Sequence, residues 1–98
     1  MTDIATLMAS DFANCEGKPI LLYAQGAQHA LQLESVTPLA SPSPRQGGPF
    51  SAVLRGPRDP LWPQAIYALE HPVLGPLELF IVPIGRDASA ARYEAIFN

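Results

Sequence analysis

A chain of 98 residues can build one hydrophobic core but not two, so residues 1–98 are expected to form a single domain. A formal charge of −3, with six basic residues scattered along the chain, argues against nucleic acid, because so few cations release little counterion from a phosphate backbone. The charged share of 15% is low beside an ordinary apolar share of 48%, which leaves part of the surface apolar and favours self-association or a protein partner.

Cys15 is the only cysteine and cannot pair within the chain, as suits a reducing compartment. No apolar run approaches the ~20 residues of a membrane-spanning helix, and residues 1–16 lack a basic start followed by an apolar segment. A soluble, cytoplasmic protein away from the membrane is therefore expected.

Thr2 or Asp3 as N-cap, with Ile4, Leu7, Met8 and Phe12 at helical spacing, predicts one short helix over residues 3–12, laid over an open end or face of a sheet. A turn through Gly17 and Pro19 follows. Ile20 to Ala24 is apolar on both sides and reads as a strand buried on both faces or beside the helix. After a turn at Gln25 to Ala27, His29 to Val36 alternates, with Leu31 and Leu33 on one face and Gln32 and Glu34 on the other. Pro38 to Pro49 holds four prolines and two glycines and is expected to be a flexible loop. Phe50 to Arg55 resumes as a strand with Phe50, Ala52 and Leu54 on one face, and a stiff connection from Gly56 to Pro63 follows.

The strongest local signal is a hairpin. Gln64 to Glu70 and Leu77 to Pro83 are two apolar runs joined by His71-Pro72-Val73-Leu74-Gly75-Pro76, where proline fixes φ and glycine permits a positive one. Strand side chains alternate, so Ala65, Tyr67 and Leu69 can line one core with Leu77, Leu79 and Ile81. The opposite face carries Ile66, Phe80 and Val82, too apolar to be wholly wet. Pro83 suggests a strand end or an edge. Gly85 to Ala90 is a further loop, and Ala91 to Phe97 closes the chain with Tyr93, Ala95 and Phe97 on one side.

Six strands joined mostly by short turns predict a mainly β, single-domain antiparallel meander closing as a small barrel or roll, with one short N-terminal helix. The eleven prolines fall almost entirely between strands, which supports these boundaries.

The run from Phe50 through Arg55-Gly56-Pro57, the strand carrying Gln64 and Tyr67, the turn His71-Pro72 to Gly75, the strand ending Phe80 to Pro83 and the ending Phe97-Asn98 resemble a family of small bacterial proteins known only as a domain of unknown function. The likeness covers residues 12–98. It implies an accessory or assembly role beside phage-tail-collar-type proteins and brings no catalytic residue.

Residue chemistry points to binding rather than catalysis. Cys15 as a nucleophile would need His29 or His71 close by to ionise it, and a plain cysteine near a turn is the commoner case. One cysteine and two histidines show no paired-ligand spacing, so neither a metal nor another cofactor is expected. Glu70 and Glu78 face each other across the expected hairpin, more as a solvated pair than as an acid and base. His71 is expected to bond a turn carbonyl. Arg55 and Arg58 flank the Gly56-Pro57 turn, where a guanidinium either holds a carboxylate or phosphate bidentately or pairs with Asp59 or a neighbouring glutamate. Trp62 is a lid over the core or an exposed anchor.

Two functions are carried forward. One is a non-enzymatic binding or assembly module acting through Ile66, Phe80 and Val82 and through Arg55, Arg58, Trp62 and His71. The alternative is a small barrel that binds an apolar or anionic small molecule among Leu31, Leu33, Tyr67, Leu79 and Tyr93, with Tyr23, Arg55 or His71 orienting it.

Overall fold

The structure, a computed structural model, describes residues 9–13, 18–24, 26–39, 49–59 and 61–97. These form one helix, α1 (Ala9–Ala13), and six strands: β1 (Ile20–Ala24), β2 (Ala27–Pro38), β3 (Phe50–Gly56), β4 (Ala65–His71), β5 (Gly75–Arg86) and β6 (Ala91–Phe97). Every strand pairs antiparallel with its neighbours, and the order β1-β2-β3-β6-β5-β4 closes into a barrel where β1 meets β4.

The mainly β, closed antiparallel architecture with its short helix is as expected. The meander is not continuous. β1 to β3 and β4 to β6 are two three-stranded meanders, and β3 lies beside β6 rather than β4. The Gly56 to Pro63 connection is too long for a tight hairpin and carries the chain to β4, on the other side of the barrel.

Alternation decides what each strand buries. Ile20 and Leu22 of β1, Phe50, Ala52 and Leu54 of β3, Leu77, Leu79 and Ile81 of β5, and Tyr93, Ala95 and Phe97 of β6 all point inward and are buried. β1 is not buried on both faces as expected: Tyr23 faces out and is exposed, and only Leu21 between its inward residues is partly covered. On β2, a register shift between Leu33 and Ser35 re-aims the strand so that Val36 faces Ala52. Gly56 ends β3 where Leu31 crosses the interior, and a Cβ there would overlap Leu31 Cδ2.

The central hairpin has the predicted inner face, with Ala65 opposite Ile81, Tyr67 opposite Leu79 and Leu69 opposite Leu77. Its turn is tighter than the sequence suggests. His71 pairs with Gly75, leaving only Pro72, Val73 and Leu74 between the strands, and Gly75 takes a φ of 80° that suits a three-residue loop. Glu70 and Glu78 are not opposite one another: Glu70 faces Pro76 and Glu78 faces Ala68. Pro83 does not end β5, which runs on to Arg86 through a register shift between Pro83 and Gly85. β4 pairs no further than Ile81, so the missing N–H of Pro83 falls where the strand is free on that side.

α1 packs against β2 and β3 and covers one end of the barrel with Phe12. Of the helix expected over residues 3–12, the described part runs from Ala9 to Ala13. Ile4, Leu7, Met8 and the caps Thr2 and Asp3 lie outside the described residues, as do Cys15, Gly17 and most of the Pro38 to Pro49 loop. That loop leaves and re-enters through a backbone bond from Leu39 N–H to the Pro49 carbonyl, 2.9 Å.

Replacing Phe12 by alanine opens a hole in the buried cluster and should cost about 3–5 kcal/mol in chemical denaturation. Val73→Ala, on a side chain 68% exposed, should change stability by no more than about 0.5 kcal/mol.

Candidate functional site

Each end of the barrel is closed by aromatic side chains, and the polar groups that sequence singled out are distributed between these two ends. At the helix end Phe12 meets Phe97 at 5.3 Å, Phe50 at 6.0 Å and His71 edge-on at 5.4 Å between ring centroids, while Phe50 and Phe97 stack at 4.5 Å. His71 is 2% exposed, too enclosed to meet a ligand. Its Nδ1 accepts from the N–H groups of Val73 (3.1 Å) and Leu74 (3.0 Å), and its Nε2 donates to the Asp11 carbonyl at 2.9 Å. That pattern defines the Nε2–H tautomer. The expected bond to a turn carbonyl is replaced by bonds from turn N–H groups, and the carbonyl partner comes from α1, so His71 ties the helix to the hairpin.

At the opposite end the β3–β4 connection lays Trp62 across the opening. Trp62 is 1% exposed, a lid and not an anchor. Its backbone N–H donates to the Tyr93 hydroxyl at 3.0 Å, and the two rings stack at 5.5 Å. Tyr67 donates its hydroxyl to the Pro63 carbonyl at 2.5 Å, and the His29 ring lies 4.6 Å from Trp62. Burial pushes the Tyr93 phenol up from its ordinary pKa of 10.0.

Around this end runs a rim of charge. Asp59 accepts from Arg58 (2.9 Å) and Arg86 (2.8 Å), and the Arg58 Nε donates to the Asp87 carbonyl at 2.9 Å. Arg92 donates through Nε to Glu34 at 2.8 Å and through Nη1 to Asp87 at 2.7 Å. The other Asp87 oxygen accepts from Ser89 N–H, Ser89 Oγ and Ala90 N–H. Arg92 first, then these loop donors, hold the Asp87 carboxyl well below the usual carboxylate range. Arg58 thus has a structural partner, while Arg55, for which a pair with Asp59 or a neighbouring glutamate is one expectation, stays exposed outside the network. Sequence reasoning missed Asp87 and Arg92. The order Asp87-Ala88-Ser89 was a usable signal, since an aspartate two and three residues before free N–H groups builds its own turn.

The outer face of the hairpin is as apolar as expected. Ile66 and Phe80 are cross-strand partners, exposed to 67% and 54%, and Val82 is half-buried. Ile96 of β6 is also exposed, two residues past Glu94, where the β5–β6 pairing with Val82 ends. Among the described residues no three of His, Cys, Asp and Glu gather as a metal-binding set, and no helix is long and apolar enough to cross a membrane.

These features define a class: a small, closed, six-stranded antiparallel barrel plugged by aromatics at both ends. The chain belongs to the family described as Domain of unknown function (DUF6916), whose profile matches residues 7–97. No curated protein and no solved structure matches it.

Two substitutions separate the roles of the plugs. His71→Ala should destabilise by about 2–4 kcal/mol, and His71→Asn should recover about 1 kcal/mol of this, because an asparagine oxygen reaches the same two turn N–H groups. Tyr93→Phe removes the acceptor for the buried Trp62 N–H and should cost about 1–3 kcal/mol. The Tyr93 contribution is fully present below about pH 10, the unfolded value, and is lost as pH rises through the higher folded value. Melting temperature should therefore fall more steeply above about pH 10 in the wild type than in Tyr93→Phe.

Proposed function

We propose that this domain is a non-enzymatic binding or assembly module whose working surface is the apolar outer face of β4, β5 and β6, and that a second copy of the chain is its occupant. The observation that carries this is the row Ile66, Phe80 and Ile96, with exposures of 67%, 54% and 53%, on neighbouring strands. Scattered apolar residues are normal on a surface, but three large ones exposed on neighbouring strands, two of them direct cross-strand partners, favour an interface. The Ile66–Phe80 pair can also meet its own copy across a two-fold axis, as an isologous interface requires. An assembly role of the kind the family resemblance implies, in a reducing cytoplasm with Cys15 unpaired, is the narrower form of the proposal.

The interior offers less to a small molecule. Leu31, Leu79 and Tyr93 are buried in one continuous cluster against which Leu33 and Tyr67 pack, so the residues that would line a cavity fill it instead.

Light scattering after size exclusion tests the proposal. A mass above the 10.5 kDa monomer, rising with concentration, is expected, and Phe80→Glu or Ile66→Glu should return it to 10.5 kDa with an unchanged circular dichroism spectrum. A 10.5 kDa species at every concentration rejects self-association.

A further inference from the structure

Beside the rim network, where β2, β3 and the β5–β6 loop meet, the surface is hollowed into an open depression of ≈ 250 Å³ lined by Ala30, Gln32, Arg55, Gly56, Ser89 and Ala90. Ala30 and Ala90 at its edge are small, and Gly56 beside Arg55 carries no side chain because its Cβ would point inward onto Leu31. Gln32 stands directly across from Arg55 on one side, and Arg92 stands across on the other.

Charge is unevenly matched here. Arg58, Arg86 and Arg92 all hold carboxylates, whereas Arg55 makes no ion pair or hydrogen bond among the described residues. The nearby acids are already committed: Glu34 bonds Arg92 through both oxygens, and Asp87 is shared by Arg92, Ser89 and Ala90. One guanidinium, beside a side-chain amide and in a concave site, is left without its counter-charge.

We infer that this depression is a monoanion subsite that takes a carboxylate, held by the Arg55 guanidinium with the Gln32 amide beside it. A carboxylate fits better than a phosphate for two reasons. The planar guanidinium fork matches two coplanar oxygens. The loop N–H groups that could cradle a tetrahedral dianion already donate to Asp87, whose own charge would repel a second negative one. The subsite lies apart from the Ile66, Phe80 and Ile96 row and does not depend on that face being an interface.

The test is a titration of the isotope-labelled full chain with sodium acetate, followed by amide and arginine Nε chemical shifts, against sodium chloride at equal ionic strength. Saturable shifts at the Gln32 side-chain amide, Arg55 Nε and Ala90 N–H are expected with acetate and not with chloride. Arg55→Gln should weaken them about tenfold or more, and Arg55→Lys should fall between, since lysine keeps the charge but not the fork. Arg55→Gln should leave the fold, by circular dichroism, and the solution mass unchanged. A second arm uses N-acetylglutamate methylamide: affinity above that of acetate assigns the source to an acidic protein side chain, and equal affinity to a free small acid. Shifts that persist in Arg55→Gln, appear equally with chloride, or never saturate overturn the subsite, and phosphate binding about tenfold tighter than acetate overturns its assignment to a carboxylate.

Discussion

The structure depends on one connection, the run from Gly56 to Pro63 that crosses the end of the barrel. A six-stranded barrel is narrow enough for side chains to fill, but its two ends remain open unless something covers them. The crossing chain meets both needs together. It carries β4 to the far side, where it pairs with β1 and closes the sheet, and it sets Trp62 into the opening, tied by its own backbone to Tyr93. The buried hydroxyl of Tyr93 thereby accepts one hydrogen bond, which offsets part of the cost of placing it in the core. At the other end α1 does the same work with Phe12, and His71 supplies the equivalent tie.

With both ends covered and the sheet closed, what distinguishes one side of the barrel from another is the outward residues. Arg55, Arg58, Arg86 and Arg92 gather near the Trp62 end because β3, β5 and β6 all reach that rim at arginines. Three carboxylates meet them there. Individually such exposed pairs contribute little, but here they also hold the two loops that cover the barrel end, through Asp59, Asp87 and the Asp87 carbonyl. Ile66, Phe80 and Ile96 are exposed and take no part in this charge network.

Local pattern went far. The strands, the inward faces of Phe50 to Leu54 and Tyr93 to Phe97, the hairpin and its exposed apolar side were legible because alternation and turn chemistry are properties of short stretches. The site was less so. His71 was visible as a turn residue, but its bond to Asp11 joins positions 60 apart in sequence and left no local trace. Arg55 and Arg58 looked equivalent around one turn. Their difference arises because Asp59 and the Asp87 carbonyl approach Arg58 and not Arg55, which depends on where the β5–β6 loop lies.

The sequence by itself determined that this is a β domain, which residues of β3, β6 and the central hairpin face inward, and that apolar side chains of the hairpin stay outside. Only the tertiary structure decided that β3 sits beside β6, that Trp62 is a plug, and that one arginine is left over. The physical reason is range: the facing of a side chain follows from its immediate neighbours through the pleat, whereas partners are chosen by which distant segments the closed barrel brings within hydrogen-bond distance.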